Sequence, residues 1–447
     1  MPADTRFAAY VDDRPQDNVF RVDRAIYVDP DVFQAELTGI FEATWQYVCH
    51  ESQIAEAGDY FASTIGRQPV FVSRQKDGGV RGFINACAHR GAILTPLRQG
   101  RAATLTCRFH GWTFGADGRC IKIKNEESGY PAGAFDKERN GLTPLPRVGV
   151  YRGFVFASLN PDVPPLEDFL GEAKTFLEFV ADQGDGGMEV LPGASTYVIH
   201  GNWKLQSENA VDGYHVSTVH RVFGATVGRR EERGGYEGMM RTENGRIAGQ
   251  VVNGCYDLGD GHMVIWADRH PPDSSPLYEQ KDRLEAAYPP EKVRWMLGRG
   301  RNLIVFPSLM INDFAATQIR TFRPLAVDKT EVTIYCLAPK GESKAARYAR
   351  LRKFEDFFLV SGMATSDDVM ALEDTQTGSN GRTAQWGDFH RGLASVIAGP
   401  DEPAREGGFS PATSNNTWDQ ETLYHGFYRR WKKLMTAARG TQQEAAE

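Results

Sequence analysis

Two short loops constrain this chain more than any other feature. Residues 87–114 read CAHRGAILTPLRQGRAATLTCRFHGWTF, so that Cys87 pairs with His89, Cys107 pairs with His110, and Gly91 or Gly111 follows each histidine closely. Four donors of soft and borderline type, delivered by two loops, suit either tetrahedral zinc or an iron–sulfur centre. The alternative is four ordinary residues of a packed interior, where cysteine is common.

A zinc finger normally takes two cysteines from one element and two histidines from another. Here each loop supplies one of each. A Rieske [2Fe-2S] centre binds one iron through two thiolates and the other through two imidazoles, so two alike loops can clasp it from both sides. Glycine beyond the histidine lets backbone pack close to a bulky group. The imidazole ligands raise the reduction potential to about −150 to +300 mV, against about −400 mV for an all-cysteine plant-type centre. These loops favour the Rieske reading over zinc and over plain core residues.

The remaining composition limits what surrounds the loops. A chain of 447 residues is too long for one ordinary core, so two or three units are expected. A formal charge of −7 argues against nucleic-acid binding, which needs a basic face. No apolar run approaches the ~20 residues that span a bilayer. The opening MPADTRFAAYVDDRPQDNVF lacks the basic and apolar regions of a secretory signal, and a cytoplasmic location is expected. In that compartment Cys49, Cys120, Cys255 and Cys336 are expected as core or loop thiols rather than disulfides.

Short β-branched and aromatic runs such as QPVFVSR, GVRGFINAC and ATLTCRF, divided by turn residues, predict a small all-β domain. It is expected to end near FASLNPDVPPLEDFLG, where Asn-Pro and Pro-Pro stop a strand and a helical pattern begins at Leu166. Beyond it come a strand TYVIHGNWKL, a hairpin QIRTFRPLAVDKTEVTIYCLAP and a helix ESKAARYARLRKFEDFFLVSGM. Helices beside a mostly antiparallel sheet make an α+β pattern.

A second cluster of donors lies in NWKLQSENAVDGYHVSTVH. Asp212 and His215 are three apart, neighbours on a helix. His220 is five beyond His215, about 140° round a regular helix, so both rings can face one ion only where the helix is interrupted. A third, anionic ligand would complete the facial triad of non-haem Fe(II). Asp367 and Asp368, heading a predicted helix after Ser366, are the candidates, although adjacent acids at a helix start are also ordinary capping residues.

With these motifs together, the chain resembles nearly end to end the large, catalytic subunits of Rieske non-haem iron ring-hydroxylating dioxygenases. That family's pattern is C-x-H, C-x2-H, then D-x2-H-x4-H, then a late Asp pair whose second member binds iron. Here those places hold Cys87, His89, Cys107, His110, Asp212, His215, His220 and Asp368. The segments DGYHVSTVH, QIRTFRPLAVDKTEVTIYCLAPKGES and FEDFFLVSGMATSDD are most similar to the benzoate and anthranilate subgroup, whereas HRVFGATVGRREER and WADRHPPDSS depart from it.

The resemblance implies a lead-in of helices over 1–39 that packs on the catalytic domain, a Rieske [2Fe-2S] domain over 40–160, and a helix-grip catalytic domain over 161–447 with one mononuclear Fe(II). It implies that Asp212 links His215 to His110 of a neighbouring subunit in a trimer, that a small β subunit completes an α3β3 assembly, and that an NADH-dependent flavin and iron–sulfur reductase, with or without a ferredoxin, delivers electrons. The substrates implied are O2 and an aromatic carboxylate, converted to a cis-dihydrodiol. Pocket positions matching the family are Asn209, Ala210, Val216, Phe358 and Met363. An aromatic acid in an apolar pocket needs a charge partner, with Arg229, Arg230, Arg269 and Arg301 as candidates. The rival readings are a Rieske monooxygenase or demethylase and, from another class, an electron carrier without catalysis.

Overall fold

Runs that alternate apolar and polar residues settle into short antiparallel strands in the first part of the chain. The computed structural model describes residues 5–131, 133–233, 242–243, 246–247, 252–269, 273 and 275–437. Two compact units result, one of Phe41–Asp168 and one that joins Met1–Ile40 to Phe169–Glu447.

The unit Phe41–Asp168 holds three antiparallel sheets. Four strands pair in the order Val80–Ile84, Gln68–Arg74, Asp59–Ile65, Gln99–Arg101. Three more pair in the order Cys120–Lys122, Thr113–Gly115, Thr104–Thr106, and a third sheet combines Arg147–Tyr151, Phe154–Ser158 and Gln46–His50. Phe71, Phe83, Phe114 and Trp112 form its core together with Cys87 and Cys107. The unit runs past the expected 160 to Asp168. Trp45 donates its indole N–H to Pro164 O at 2.9 Å, and Leu166 packs over Gly149, so the Pro-Pro segment stays with the β unit.

The other unit is built on a ten-stranded sheet. Six successive strands form its antiparallel meander: Asn253–Gly259, His262–Asp268, Arg299–Val305, Leu309–Asn312, Gln318–Ala326 and Lys329–Pro339. Six helices position the site or the core: α1 (Trp203–Asn209), α2 (Val216–Val219), α3 (Arg221–Glu232), α4 (Lys344–Lys353), α5 (Thr365–Gly378) and α6 (Leu423–Thr436). On α6, Phe427, Tyr428 and Trp431 are fully buried, each such side chain contributing about 1.5–3 kcal/mol on removal from water.

Three local expectations change. The strand predicted through TYVIHGNWKL stops at Ile199, because the Asn202 carboxamide accepts the Lys204 N–H at 3.1 Å and starts α1 there. The long helix predicted from Glu342 to Met363 is shorter. Ser343 caps α4 through the Ala346 N–H at 3.1 Å, and after a π-helical turn over Phe354–Phe358 the backbone becomes extended at Leu359. The lead-in is not helical throughout, since Val11–Arg14 and Val19–Asp23 pair as a hairpin before the short helices Ala25–Val28 and Pro30–Glu36.

A buried polar hub ties distant parts of this unit together. The Glu36 carboxylate accepts the Trp203 indole N–H at 2.8 Å, the Lys204 ammonium at 2.6 Å and the Trp431 indole N–H at 2.7 Å. Burial pushes the Lys204 ammonium pKa below its ordinary value, and Glu36 beside it opposes that shift by favouring the charged form. The hub fixes the start of α1, the helix that leads directly into the second donor cluster.

Candidate functional site

The cysteine–histidine loops fold alike. Cys87 N–H is donated to Ala92 O at 2.8 Å and Gly91 N–H to Cys87 O at 2.8 Å; Cys107 N–H is donated to Trp112 O at 2.7 Å and Gly111 N–H to Cys107 O at 2.9 Å. The turn needs a left-handed residue at its end, and Gly91 and Gly111 take φ of 72° and 75°. The thiols of Cys87 and Cys107 meet in the interior, whereas His89 is exposed and His110 half-buried, with ring centroids 4.6 Å apart. Trp112 stacks on His89 at 4.8 Å.

This arrangement tests what the loops can hold. Burial and the neighbouring Cys107 raise the Cys87 thiol, while N–H groups of His89 and Arg90 point at its sulfur and favour the thiolate. Among the described residues, the only metal-type donors that gather three within 4.8 Å of one another are elsewhere. One tetrahedral zinc would draw the four loop donors closer than that. Two thiols at one end and two imidazoles at the other fit a two-iron group.

The gathered three are His215, His220 and Asp368. His215 Nε2 lies 3.3 Å from His220 Nε2 and 3.4 Å from Asp368 Oδ1, and His220 Nε2 lies 3.2 Å from Asp368 Oδ1. First-row metal–ligand bonds of about 2.0–2.2 Å place adjacent donors about 3 Å apart, so the triangle fits one ion. Of the other ring nitrogens, His220 Nδ1 is buried without a hydrogen bond, and His215 Nδ1 is turned to the Asp212 carboxylate.

The local backbone explains how these residues meet. His215 precedes α2, His220 follows it with φ −92° and ψ 19°, and α3 starts at the next residue, so the helix is broken where the facing of both rings requires it. Asp212 is not on that helix. It lies in the preceding turn, where Oδ1 accepts the Tyr214 N–H at 2.7 Å and Oδ2 stands 3.1 Å from His215 Nδ1, the usual way a short acid closes a turn.

Asp368 arrives on the first turn of α5, which is fixed to the segment before α1 by Glu373 accepting His200 N–H at 3.0 Å and Gln376 accepting Asn202 N–H at 2.8 Å. Asn209 donates to Asp368 Oδ1 at 3.3 Å. Asp367 stands off, 4.0 Å from His220 Nδ1. Burial alone would lower the His215 imidazole, but Asp212 and Asp368 reverse this and raise it to about 10. Two carboxylates around two imidazoles make a cage that favours a cation.

Beside the triangle lies a cavity of about 700 Å³, part of it open to solvent, whose lining includes Asn209, Ala210, Val216 and Phe358. Met363 does not line it; its N–H closes a turn on Asp356 O at 2.8 Å. Sequence reasoning missed the part of the lining that Ile265, Asn302, Met310 and Arg320 supply from four adjacent strands, together with the aromatic Phe357 and Trp418. Only strand register brings those residues together.

The proposed carboxylate anchors do not serve. Arg229 and Arg230 are exposed. Arg269 and Arg301 are occupied by Asp313, and Arg269 also by the carbonyls of Asp313 and Phe314. Within WADRHPPDSS, residues 270–272 and 274 lie outside the described residues.

Comparisons agree with this geometry. The family model for the ring hydroxylating alpha subunit (catalytic domain) matches residues 189–437, and that for the Rieske [2Fe-2S] domain matches 44–142. The chain is 42% identical to toluate 1,2-dioxygenase subunit alpha of Pseudomonas putida, over 97% of this chain and 95% of that one. It is 41% identical to the 2-halobenzoate 1,2-dioxygenase large subunit of Burkholderia cepacia, over 97% and 93%. A crystal structure of naphthalene 1,2-dioxygenase from Rhodococcus sp. bound to indole superposes with a TM-score of 0.81 at 26% identity, covering 94% of this chain and 95% of that one. A catalytic-domain match of this extent leaves no place for a mere electron carrier. The chain belongs to the Rieske ring-hydroxylating dioxygenase alpha subunits, a family whose members carry a [2Fe-2S] cluster and a mononuclear non-haem iron.

Proposed function

We propose that this chain dihydroxylates an aromatic carboxylate, placing both atoms of O2 on adjacent ring carbons to give a cis-dihydrodiol. The observation that carries the proposal is the meeting of His215 Nε2, His220 Nε2 and Asp368 Oδ1 beside a cavity walled by Phe223, Phe357 and Phe358. The substrates in the names of the two relatives, a toluate and a 2-halobenzoate, are both benzoic acids.

In this reading His215, His220 and Asp368 would hold the mononuclear iron. Cys87 and Cys107 would hold one iron of the cluster, and His89 and His110 the other. When bound, the mononuclear iron supplies the redox chemistry for O2, and the cluster supplies the electrons. Asp212 orients His215 through the nitrogen that faces away from Asp368, and in a trimer it links His215 to His110 of a second copy. Asn209 holds the carboxylate of Asp368 in place. The aromatic walls exclude water and seat the ring.

A reductase fed by NADH, with or without a ferredoxin, supplies the electrons, and a small β subunit completes an α3β3 assembly. No described helix is long and apolar enough to cross a membrane. None of the six cysteines is joined in a disulfide, which supports a cytoplasmic location.

Product analysis by mass spectrometry with 18O2, reductase, NADH and a panel of benzoates tests the proposal. Two labelled oxygens in a cis-diol are expected. One labelled oxygen, or loss of a methyl group, would instead make the chain a monooxygenase or demethylase.

A further inference from the structure

Among the described residues, four arginines of the catalytic unit are buried outright: Arg299, Arg301, Arg320 and Arg350. Three have a carboxylate beside them: Arg299 is paired with Asp268 at 3.1 Å, Arg301 with Asp313, and Arg350 with Glu342 at 2.9 Å. Arg320, 4% exposed, has no carboxylate within 4.0 Å and no side-chain hydrogen bond among the described residues, and its Nε is orphaned. A buried cation without an anion is strongly unfavourable. An anion reaching it from the cavity would complete it.

The location says what that is. Arg320 sits on the strand Gln318–Ala326 directly across from Met310, and both line the cavity beside His215, His220 and Asp368. Asn302 and Asn312 face one another across the neighbouring strands of the same wall, and Asn302 Oδ1 is buried without a donor. Among the described residues that line the cavity, Arg320 is the only arginine or lysine. The remainder of the wall is largely apolar, so the cavity offers an aromatic body one cationic end.

We infer that Arg320 is the substrate's carboxylate anchor: its guanidinium receives the carboxylate of the aromatic acid in a two-pronged hydrogen-bonded pair and thereby sets which edge of the ring faces the His215–His220–Asp368 triangle. This rests on the aromatic-acid reading above. The planar fork matches a carboxylate in geometry as well as charge, which lysine does not. Arg320 is a specificity and positioning residue; it takes no part in the redox chemistry.

The test uses holo-oxygenase with Arg320→Met and Arg320→Lys, titrated calorimetrically with benzoate and with the neutral isostere benzamide, and heated with and without each. Wild type should prefer benzoate. Arg320→Met should weaken benzoate by about 10- to 150-fold, the range for a hydrogen-bonded charged partner, and change benzamide by less than about threefold. Without ligand its Tm should be no lower than wild type, since an unpaired buried charge is gone, and the rise in Tm with benzoate should vanish.

Arg320→Lys should lose benzoate affinity to a smaller degree, and it carries the test where Arg320→Met does not fold. Benzoate still preferred and unweakened in either variant overturns the anchor and leaves the aromatic-acid reading intact. Equal loss of both ligands makes Arg320 structural and overturns it too. Wild type that prefers benzamide sinks the aromatic-acid reading itself, and the anchor with it.

Discussion

His215 Nε2 and His220 Nε2 are 3.3 Å apart although a continuous helix would turn their rings about 140° from one another. The break between α2 and α3 at His220 is what closes that angle. A one-residue insertion or deletion in Val216–Val219 would undo it without touching a ligand.

Asp368→Ala should therefore empty the mononuclear site and abolish hydroxylation while the visible spectrum of the cluster persists, because the two centres share no residue. Iron analysis should fall from three to two irons per chain, as counted from two for a Rieske centre. Asp367→Ala, which removes a carboxylate 4.0 Å from the nearer histidine nitrogen, should keep the third iron. Should Asp367 prove essential and Asp368 dispensable, the ligand assignment has slipped by one position.

Cys107→Ala should bleach the protein. Its loop has one sulfur and no substitute, and thiolates are what the buried end of the two loops provides. Absorbance and acid-labile sulfide measure this directly. A colourless wild type with one zinc and no sulfide would end the Rieske assignment.

Asp212→Ala should retain the cluster and most of the mononuclear iron, since Asp212 is not one of the three converging donors. Product formation should stop. Single-turnover reoxidation of the cluster by O2 in the presence of substrate should slow by orders of magnitude if Asp212 carries the electron path. If the side chain only closes its turn through the Tyr214 N–H, the loss is about 1 kcal/mol of stability with turnover preserved.

Glu36→Ala should destabilise the catalytic unit by about 3–5 kcal/mol, the range for leaving one charge of a buried pair alone. Lys204 and the two indoles of Trp203 and Trp431 all lose their acceptor. Thermal unfolding followed by circular dichroism checks it. The double variant Glu36→Ala with Lys204→Met should recover part of the loss, because no lone ammonium remains.

The cysteine–histidine loops were legible because everything that defines them is local: ligand, spacing and glycine lie within a few residues. The triangle was legible as residues but not as geometry, since spacing called for a helix interruption and could not supply one. Strand patterning through Asn202 misled, because β-branched Thr196, Val198 and Ile199 run without a gap into a segment whose start is decided by one capping carboxamide. Arg320 was invisible for another reason. Within QIRTF it reads as an outward-facing charge on an antiparallel hairpin, and only the pairing of Met310 with Arg320 turns it into a cavity wall.

The Glu36 hub also sets an order of events at the ribosome. Phe41–Asp168 is one uninterrupted stretch, so its sheets and both cluster loops can close as soon as that stretch has emerged. The unit around it cannot finish then. Glu36 emerges before the inserted stretch, Lys204 only after it, and Trp431 near the very end. A carboxylate that must wait for almost the whole chain makes the catalytic half the late, vulnerable step of biogenesis, as is general for contacts distant in sequence. A nascent chain stalled before Trp431 would hold a finished cluster module beside an oxygenase core that has not yet come into being.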